Sequence, residues 1–175
     1  NYPTKPIRIV TTETGGGNDF SSRLVGIGLL EAFGQQTVIE NRPGGEGLIS
    51  AMTVATANAD GYTLLVQASG LWIFPFLKKN LPYDPLRDFA PVTQLSAAAY
   101  MLLVTPSLPA KSLRDFVAHA KANAGKLTYA SAGSGTGSHL STVLFLSMAG
   151  IDLVHVPYKG GAPGMTDLIA NQVQM

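Results

Sequence analysis

"TTETGGGNDFSSRL" (Thr11–Leu24) sets three consecutive glycines between the β-branched run Ile7–Val10 and a stretch with helical spacing. Glycine gives the backbone its widest conformational freedom. Between a strand and a helix, such a turn lets N–H groups point outward together at the positive end of the helix. There they form a cradle for an anion. Gly15, Gly16, Gly17, Asn18 and Asp19 are the candidate cradle, and a plain turn is the alternative. A dinucleotide fingerprint would open in the same place, with Glu40 where a ribose-binding acid would stand. Against it, Phe20 falls on the third glycine position, which needs a small residue for close helix–strand packing. No Gly-Lys-Ser/Thr follows, which excludes a Walker-type phosphate loop.

Outward from this turn the chain alternates. Apolar residues at Phe20, Leu24, Ile27 and Leu30 predict a helix over Asn18–Phe33 with Gly34 as its stop. Thr37–Glu40 reads as a strand, Leu48–Ala57 as a helix and Tyr62–Gln67 as a continuous apolar strand. Such a strand suits a parallel sheet covered on both faces. Pro75–Pro91 reads as loop with short helical pieces, and Tyr100–Val104 as a strand. Ser112 and Asp115 then cap a helix carrying Leu113, Phe116, Val117 and Ala120. Leu127–Ala130 is a strand, and Leu140, Val143, Leu144 and Met148 define the next helix, stopped by Gly150. Leu153–Val156 is a strand. Pro163 opens a last helix with Leu168 and Ile169 on its buried side, and Gln172–Met175 looks like a strand beginning. Strand, glycine loop and helix thus occur twice, about 120 residues apart. The expected fold is α/β in two lobes, 1–100 and 101–175, with ligand at the carboxyl ends of the strands.

The second loop, Ser131–His139, alternates small hydroxyls with glycines. Ser134, Gly135, Thr136, Gly137, Ser138 and His139 are its candidate donors. The alternative is a nucleophilic Ser134 or Ser138 with His139 as base. A nucleophile elbow needs Gly-x-Ser-x-Gly, and the register here is Gly133-Ser134-Gly135-Thr136-Gly137. Adjacent residues on a helix, such as Ser138 and His139, also diverge. Ser69 and Gly70 end the third strand as a candidate donor or a simple turn, and Trp72 is either core or pocket mouth. His119 reads as solvated, and His155 as structural or as a ligand contact. The histidines lack metal-ligand spacing. Net charge is +1 and cysteine is absent. No basic surface therefore argues for nucleic acid, and thiolate chemistry is excluded within this chain. The longest apolar run, Ala97–Val104, is far short of the ~18 residues of a membrane span. A start at Asn1 fits a mature chain after signal removal or a trimmed one.

Several stretches fall together in one order: "YPTKPIRIV" (2–10), the Gly-Gly-x-x-Asp loop, "VIENRPGGEG" (38–47), "DGYTLL" (60–65), "LPYDPLRDFAPV" (81–92), "PAKSLRDFVAHAKANAGKLTYASAGSGTGSHL" (109–140), "HVPYKGGAP" (155–163) and "TDLIANQVQM" (166–175). They resemble the Bug family, periplasmic solute receptors of tripartite tricarboxylate transporters. The resemblance implies a two-lobed, type II-like periplasmic-binding-protein clamp that holds a small organic acid with backbone amides. It implies delivery to membrane permease subunits, a periplasmic location, no cofactor or metal, and no catalysis. Carried over, the ligand-binding residues are Thr14, Gly15, Gly16, Gly17, Asn18 and Asp19 in one lobe, with Ser69 and Gly70. In the other they are Ser134, Gly135, Thr136, Gly137, Ser138 and His139. Family members are longer, so the resemblance also implies a second lobe incomplete at its C-terminus. The family segment before the glycines is apolar and proline-rich. Here it is Thr11-Thr12-Glu13-Thr14, and a carboxylate at Glu13 repels an anion unless it turns outward or meets a ligand hydroxyl or amine. The alternative reading is an α/β enzyme that binds a nucleotide or phosphate ester at Gly15–Gly17.

Overall fold

The computed structural model describes residues 2–175, and the chain divides into two compact units, the first ending at Ala97 and the second starting at Ala98. The first contains β1 (Ile7–Thr11), α1 (Gly17–Phe33), β2 (Thr37–Asn41), α2 (Leu48–Ala55), β3 (Thr63–Leu65) and α3 (Gly70–Leu77). Its sheet is parallel, ordered β2-β1-β3, with Ile9 opposite both Ile39 and Leu64. Parallel neighbours need crossovers, which α1 and α2 supply. The central strand carries Ile7, Ile9 and Val10, all buried. The ladder of β3 is shorter than the apolar run Tyr62–Gln67, but single bonds extend it. Arg8 N–H donates to Tyr62 O at 2.8 Å and Val66 N–H to Val10 O at 3.0 Å.

The helical stripe of α1 turns out to face the other way. Phe20, Leu24, Ile27 and Leu30 are exposed, whereas Asp19, Ser22 and Gly26 are buried. Small residues decide this orientation, because they let the helix axis approach the sheet. A Cβ on Gly26 would stand 2.6 Å from Thr37 Oγ1 and 3.3 Å from Ile39 Cδ1. The Thr37 hydroxyl uses that proximity to donate to Gly26 O at 3.1 Å, and Ser22 turns its hydroxyl back to Asn18 O at 2.7 Å.

Helix α3 stands where the sequence suggests a turn followed by loop. Leu71 and Phe74 are its buried anchors, and Leu71 packs with Ala51 and Tyr83. Pro75 removes one intrahelical donor. The carbonyl it leaves unserved, Leu71 O, accepts from the Tyr83 hydroxyl at 3.4 Å.

The second unit contains α4 (Leu113–Ala122), β4 (Thr128–Ser131), α5 (Gly137–Ala149), β5 (Val154–Pro157) and α6 (Gly161–Ile169). Strands β4 and β5 are parallel with Tyr129 opposite His155. Ser112 Oγ accepts from Asp115 N–H at 3.2 Å, and the Asp115 carboxylate accepts in return from Lys111 N–H at 3.2 Å. The core gathers Phe116, Ala120, Leu127, Tyr129, Ile151 and Leu153. Helix α5 presents Phe145, Leu146 and Ala149 to it, so Val143, Leu144 and Met148 of the predicted stripe lie outside. In α6, Leu168 is buried but Ile169, about 100° further round the helix, is exposed.

The expected strand Tyr100–Val104 is not formed. Tyr100 and Met101 are exposed, and the backbone from Ala98 to Val104 makes no hydrogen bond among the described residues. Apolar composition favours a strand, but only a neighbouring strand makes one. The chain end finds such a neighbour: Gln174 N–H donates to Thr128 O at 3.1 Å and Ala130 N–H to Met175 O at 2.8 Å, along β4.

Candidate functional site

The first loop leaves β1 at Thr11 and enters α1 at Gly17. Gly15 has φ +79°, a left-handed conformation that favours glycine. Its N–H donates to Asp19 Oδ2 at 3.0 Å. The same carboxylate accepts from Asn41 Nδ2 at 2.9 Å and from Arg23 Nε at 3.2 Å. The Gly15 N–H is the main reason why the Asp19 carboxyl is lowered to about 2. Bonds from Arg23 and Asn41 add to it, and burial opposes them. Asn18 Nδ2 donates to Thr12 Oγ1 at 3.2 Å. Asp19 is thus committed to its own loop. The first-turn N–H groups of Gly17 and Asn18 have no acceptor among the described residues, as helix geometry requires.

From Gly135 onward the second loop repeats this backbone 120 positions later. Gly135 also has φ +79°, and its N–H donates to His139 Nδ1 at 3.0 Å. His139 thus fills the role of Asp19. An imidazole that accepts at Nδ1 carries its proton on Nε2. Thr136 has φ −71° and ψ 163°, close to −83° and 171° at Gly16. Its hydroxyl donates to Gly133 O at 2.7 Å, and Ala132 N–H donates to Ser138 Oγ at 3.1 Å. Ser134 is exposed at the loop tip, as are Thr14 and Gly15 in the first loop.

Behind the second loop lies a stack that the sequence reading left open. His155 is sandwiched between His139, with ring centroids 4.3 Å apart, and Tyr129 at 4.8 Å. Its Nε2 shares a 2.7 Å hydrogen bond with Ser131 Oγ. The signal was present in the parallel pairing of two strands, which sequence spacing alone does not register. Burial, and then the neighbouring His139, lower the pKa of His155 below its ordinary 6.5. The unfolded chain therefore takes up this proton first as pH falls. The contribution of neutral His155 to stability is complete above about pH 6.5 and declines below it. Urea midpoints of the wild type should fall between pH 7 and pH 5, and His155→Gln should fall less steeply. Equal slopes would refute the assignment.

The other expected site residues divide. Parallel β1 and β3 end on one sheet edge, where Thr11 Oγ1 donates to Val66 O at 3.1 Å. Ser69 is exposed beyond that edge as the residue preceding α3. Gly70 is buried, and a Cβ there would press on the Phe74 ring at 3.4 Å. Trp72 is half-exposed and lines an open groove of about 530 Å³ with Phe76, Lys78, Tyr83 and Leu86. Two features weigh on the dinucleotide reading. Phe20 projects outward, so its bulk is not the obstacle, and Glu40 is paired with Arg8 and Arg42, which occupies the acid a ribose would need.

Comparison with known proteins gives a consistent set. The model of the tripartite tricarboxylate transporter family receptor (TctC) matches residues 22–175. Protein BugT of Bordetella pertussis is 35% identical over 175 residues, covering 98% of this chain and 54% of its own. A UPF0065 protein from the tcbD-tcbE intergenic region of Pseudomonas sp. (strain P51) is 37% identical over 175 residues, with 99% and 52% covered. The chain spans about half the length of the curated relatives it matches. Among solved structures, R. palustris Rpa4515 with adipate matches with a TM-score of 0.96 at 37% identity, covering 99% of this chain and 59% of that one. MatC from Rhodopseudomonas palustris with bound malate matches at 0.86 and 30% identity, with 99% and 60% covered.

Proposed function

Because this chain belongs to the tripartite tricarboxylate transporter receptor family, we propose that it is a periplasmic solute receptor that binds a small carboxylate-bearing solute and delivers it to membrane permease subunits. On this reading 1–100 and 101–175 belong to the two lobes of the receptor, and no catalytic step is involved. The observation that carries it is the repeated loop. Two turns of the same backbone, each fixed by one side chain, aim first-turn amides outward from the start of a long helix. A carboxylate is the natural acceptor for such amides, each charge-assisted bond contributing roughly 1.5–3 kcal/mol.

The proposed roles follow from what each group already bonds. The amides of Gly17 and Asn18, and of Gly137 and Ser138, meet the solute with the hydroxyls of Thr14 and Ser134, while Thr136 gives its hydroxyl proton to Gly133 O and caps α5. Gly15, Gly16 and Gly135 shape the turns, while Asp19 and His139 are positioning residues. Ser69 adds a hydroxyl at the edge of the sheet, with Gly70 setting the start of α3. Calorimetry on the full-length protein tests the reading with succinate, malate, aspartate, adipate, NAD and inorganic phosphate. Saturable binding of at least one acid, without binding of NAD or phosphate, is expected. Binding of NAD or phosphate alone would overturn it in favour of a nucleotide or phosphate-ester enzyme.

A further inference from the structure

From Gly15 and Gly135 onward the two loops share a backbone, but they differ in what fills the space beside it. In the first, Gly16 has an unexceptional φ of −83°, so its lack of a side chain serves space and not conformation. A Cβ there would stand 2.7 Å from Glu13 Oε1, which means that the Glu13 carboxylate lies across Gly16. In the second, the sizes are exchanged. Gly133, at φ +133°, takes the sequence position of Glu13, and Thr136 that of Gly16, with its hydroxyl reaching back to Gly133 O. The space beside the turn is therefore met by a carboxylate in the first loop and by a hydroxyl in the second.

Glu13 is half-buried, and it has no hydrogen-bond or ion-pair partner among the described residues. Three arginines of this unit are committed elsewhere, Arg23 to Asp19 and both Arg8 and Arg42 to Glu40. A solute carboxylate laid on the amides of Gly17 and Asn18 would share this space with a like charge, which opposes binding. A hydroxyl or ammonium beside that carboxylate removes the conflict, because it donates to Glu13 while the carboxylate accepts from the amides. We infer that Glu13 determines specificity, so that the solute end met by the first loop bears a hydrogen-bond donor next to its carboxylate. This rests on the receptor reading proposed above and narrows its substrate class to hydroxy or amino acids.

The test is calorimetry on full-length wild type, Glu13→Gln and Glu13→Gly with succinate, malate and aspartate. These three acids share a carbon skeleton and differ in the donor. A site built around an acceptor rejects the analogue that lacks the donor. Wild type should bind malate or aspartate at least ~10-fold tighter than succinate. Tighter malate identifies a hydroxyl as the donor, and tighter aspartate an ammonium. In both variants the gap to succinate should close to within about 3-fold, chiefly because succinate gains. Thermal melting of Glu13→Gln should be unchanged, since Glu13 has no hydrogen-bond or ion-pair partner among the described residues. Equal wild-type affinities, or a preference that survives in both variants, would overturn the role of Glu13 while leaving the receptor reading intact. Failure of every acid, in wild type and variants alike, would overturn both.

Discussion

Asp19→Ala is expected to cost the first unit about 2–3 kcal/mol at pH 7. The carboxyl titrates at about 2 in place of an ordinary 3.8, and each pK unit corresponds to about 1.4 kcal/mol of differential interaction. The sign follows from a folded value below the unfolded one. The contribution is fully present above about pH 4 and is lost as pH falls towards 2. The deficit of the variant should therefore be large at pH 7 and small at pH 2.5. Trp72, the sole tryptophan, lies in α3 of the same unit and reports the transition by fluorescence. The loop suffers locally as well. Without the carboxylate, the Gly15 N–H loses its acceptor, and Asn41 keeps only its 3.2 Å bond to Thr12 O. On the proposed reading, acid affinity should drop at least ~10-fold. A urea midpoint unchanged at pH 7 would show that this carboxylate does not hold the turn.

Phe116→Ala should be costlier still, about 3–5 kcal/mol, the usual range for truncating a fully buried phenylalanine. The ring is 1% exposed and stacks at 6.5 Å on Phe145 within the core of the second unit. Hydrogen exchange of α4 and β4 amides should accelerate accordingly. Phe20→Ala in α1 is the counterpart. Its ring is 66% exposed, so the expected change is within about 0.5 kcal/mol. A Phe20→Ala loss as large as that of Phe116→Ala would mean that α1 is packed the other way round.

These two phenylalanines mark how far the sequence could be read. Both sit in apolar stripes at helical spacing, and both stripes predicted helices correctly. The stripe of α4 found the buried face at Phe116 and Ala120, although Leu113 in its first turn is exposed. In α1 the stripe competes with the row Ser22 and Gly26, whose value lies in closeness to Thr37 and Ile39 and not in hydrophobicity. Periodicity measures the latter only. Residues 100–104 show a related limit, since strand propensity is local but a ladder requires a second backbone.

The candidate site was legible in the same uneven way. Glycine spacing announced both turns, because φ +79° at Gly15 and Gly135 leaves few alternatives to glycine. The capping hydroxyl of Ser112 was readable for similar local reasons, whereas Thr136, read as a ligand donor, proves to cap α5. The stack of His139, His155 and Tyr129 was not, because it depends on which residues of two strands stand side by side. Nor was the pairing of Glu13 with the empty side of Gly16, which is a matter of where a flexible carboxylate comes to rest.

The clip that closes each turn has a consequence for how such a protein can diverge. A glycine amide is held by the residue four positions on, and an aspartate oxygen or an imidazole nitrogen serves equally at 3.0 Å. Thr14 and Ser134, exposed at the loop tips and without a hydrogen-bond partner among the described residues, are released from the duty of maintaining that shape. They can change identity while the amides keep their aim. Selection on solute preference can then proceed by single exchanges at those positions, without an intermediate that has lost its fold. Glu13 is a third such position, since its carboxylate has no partner among the described residues.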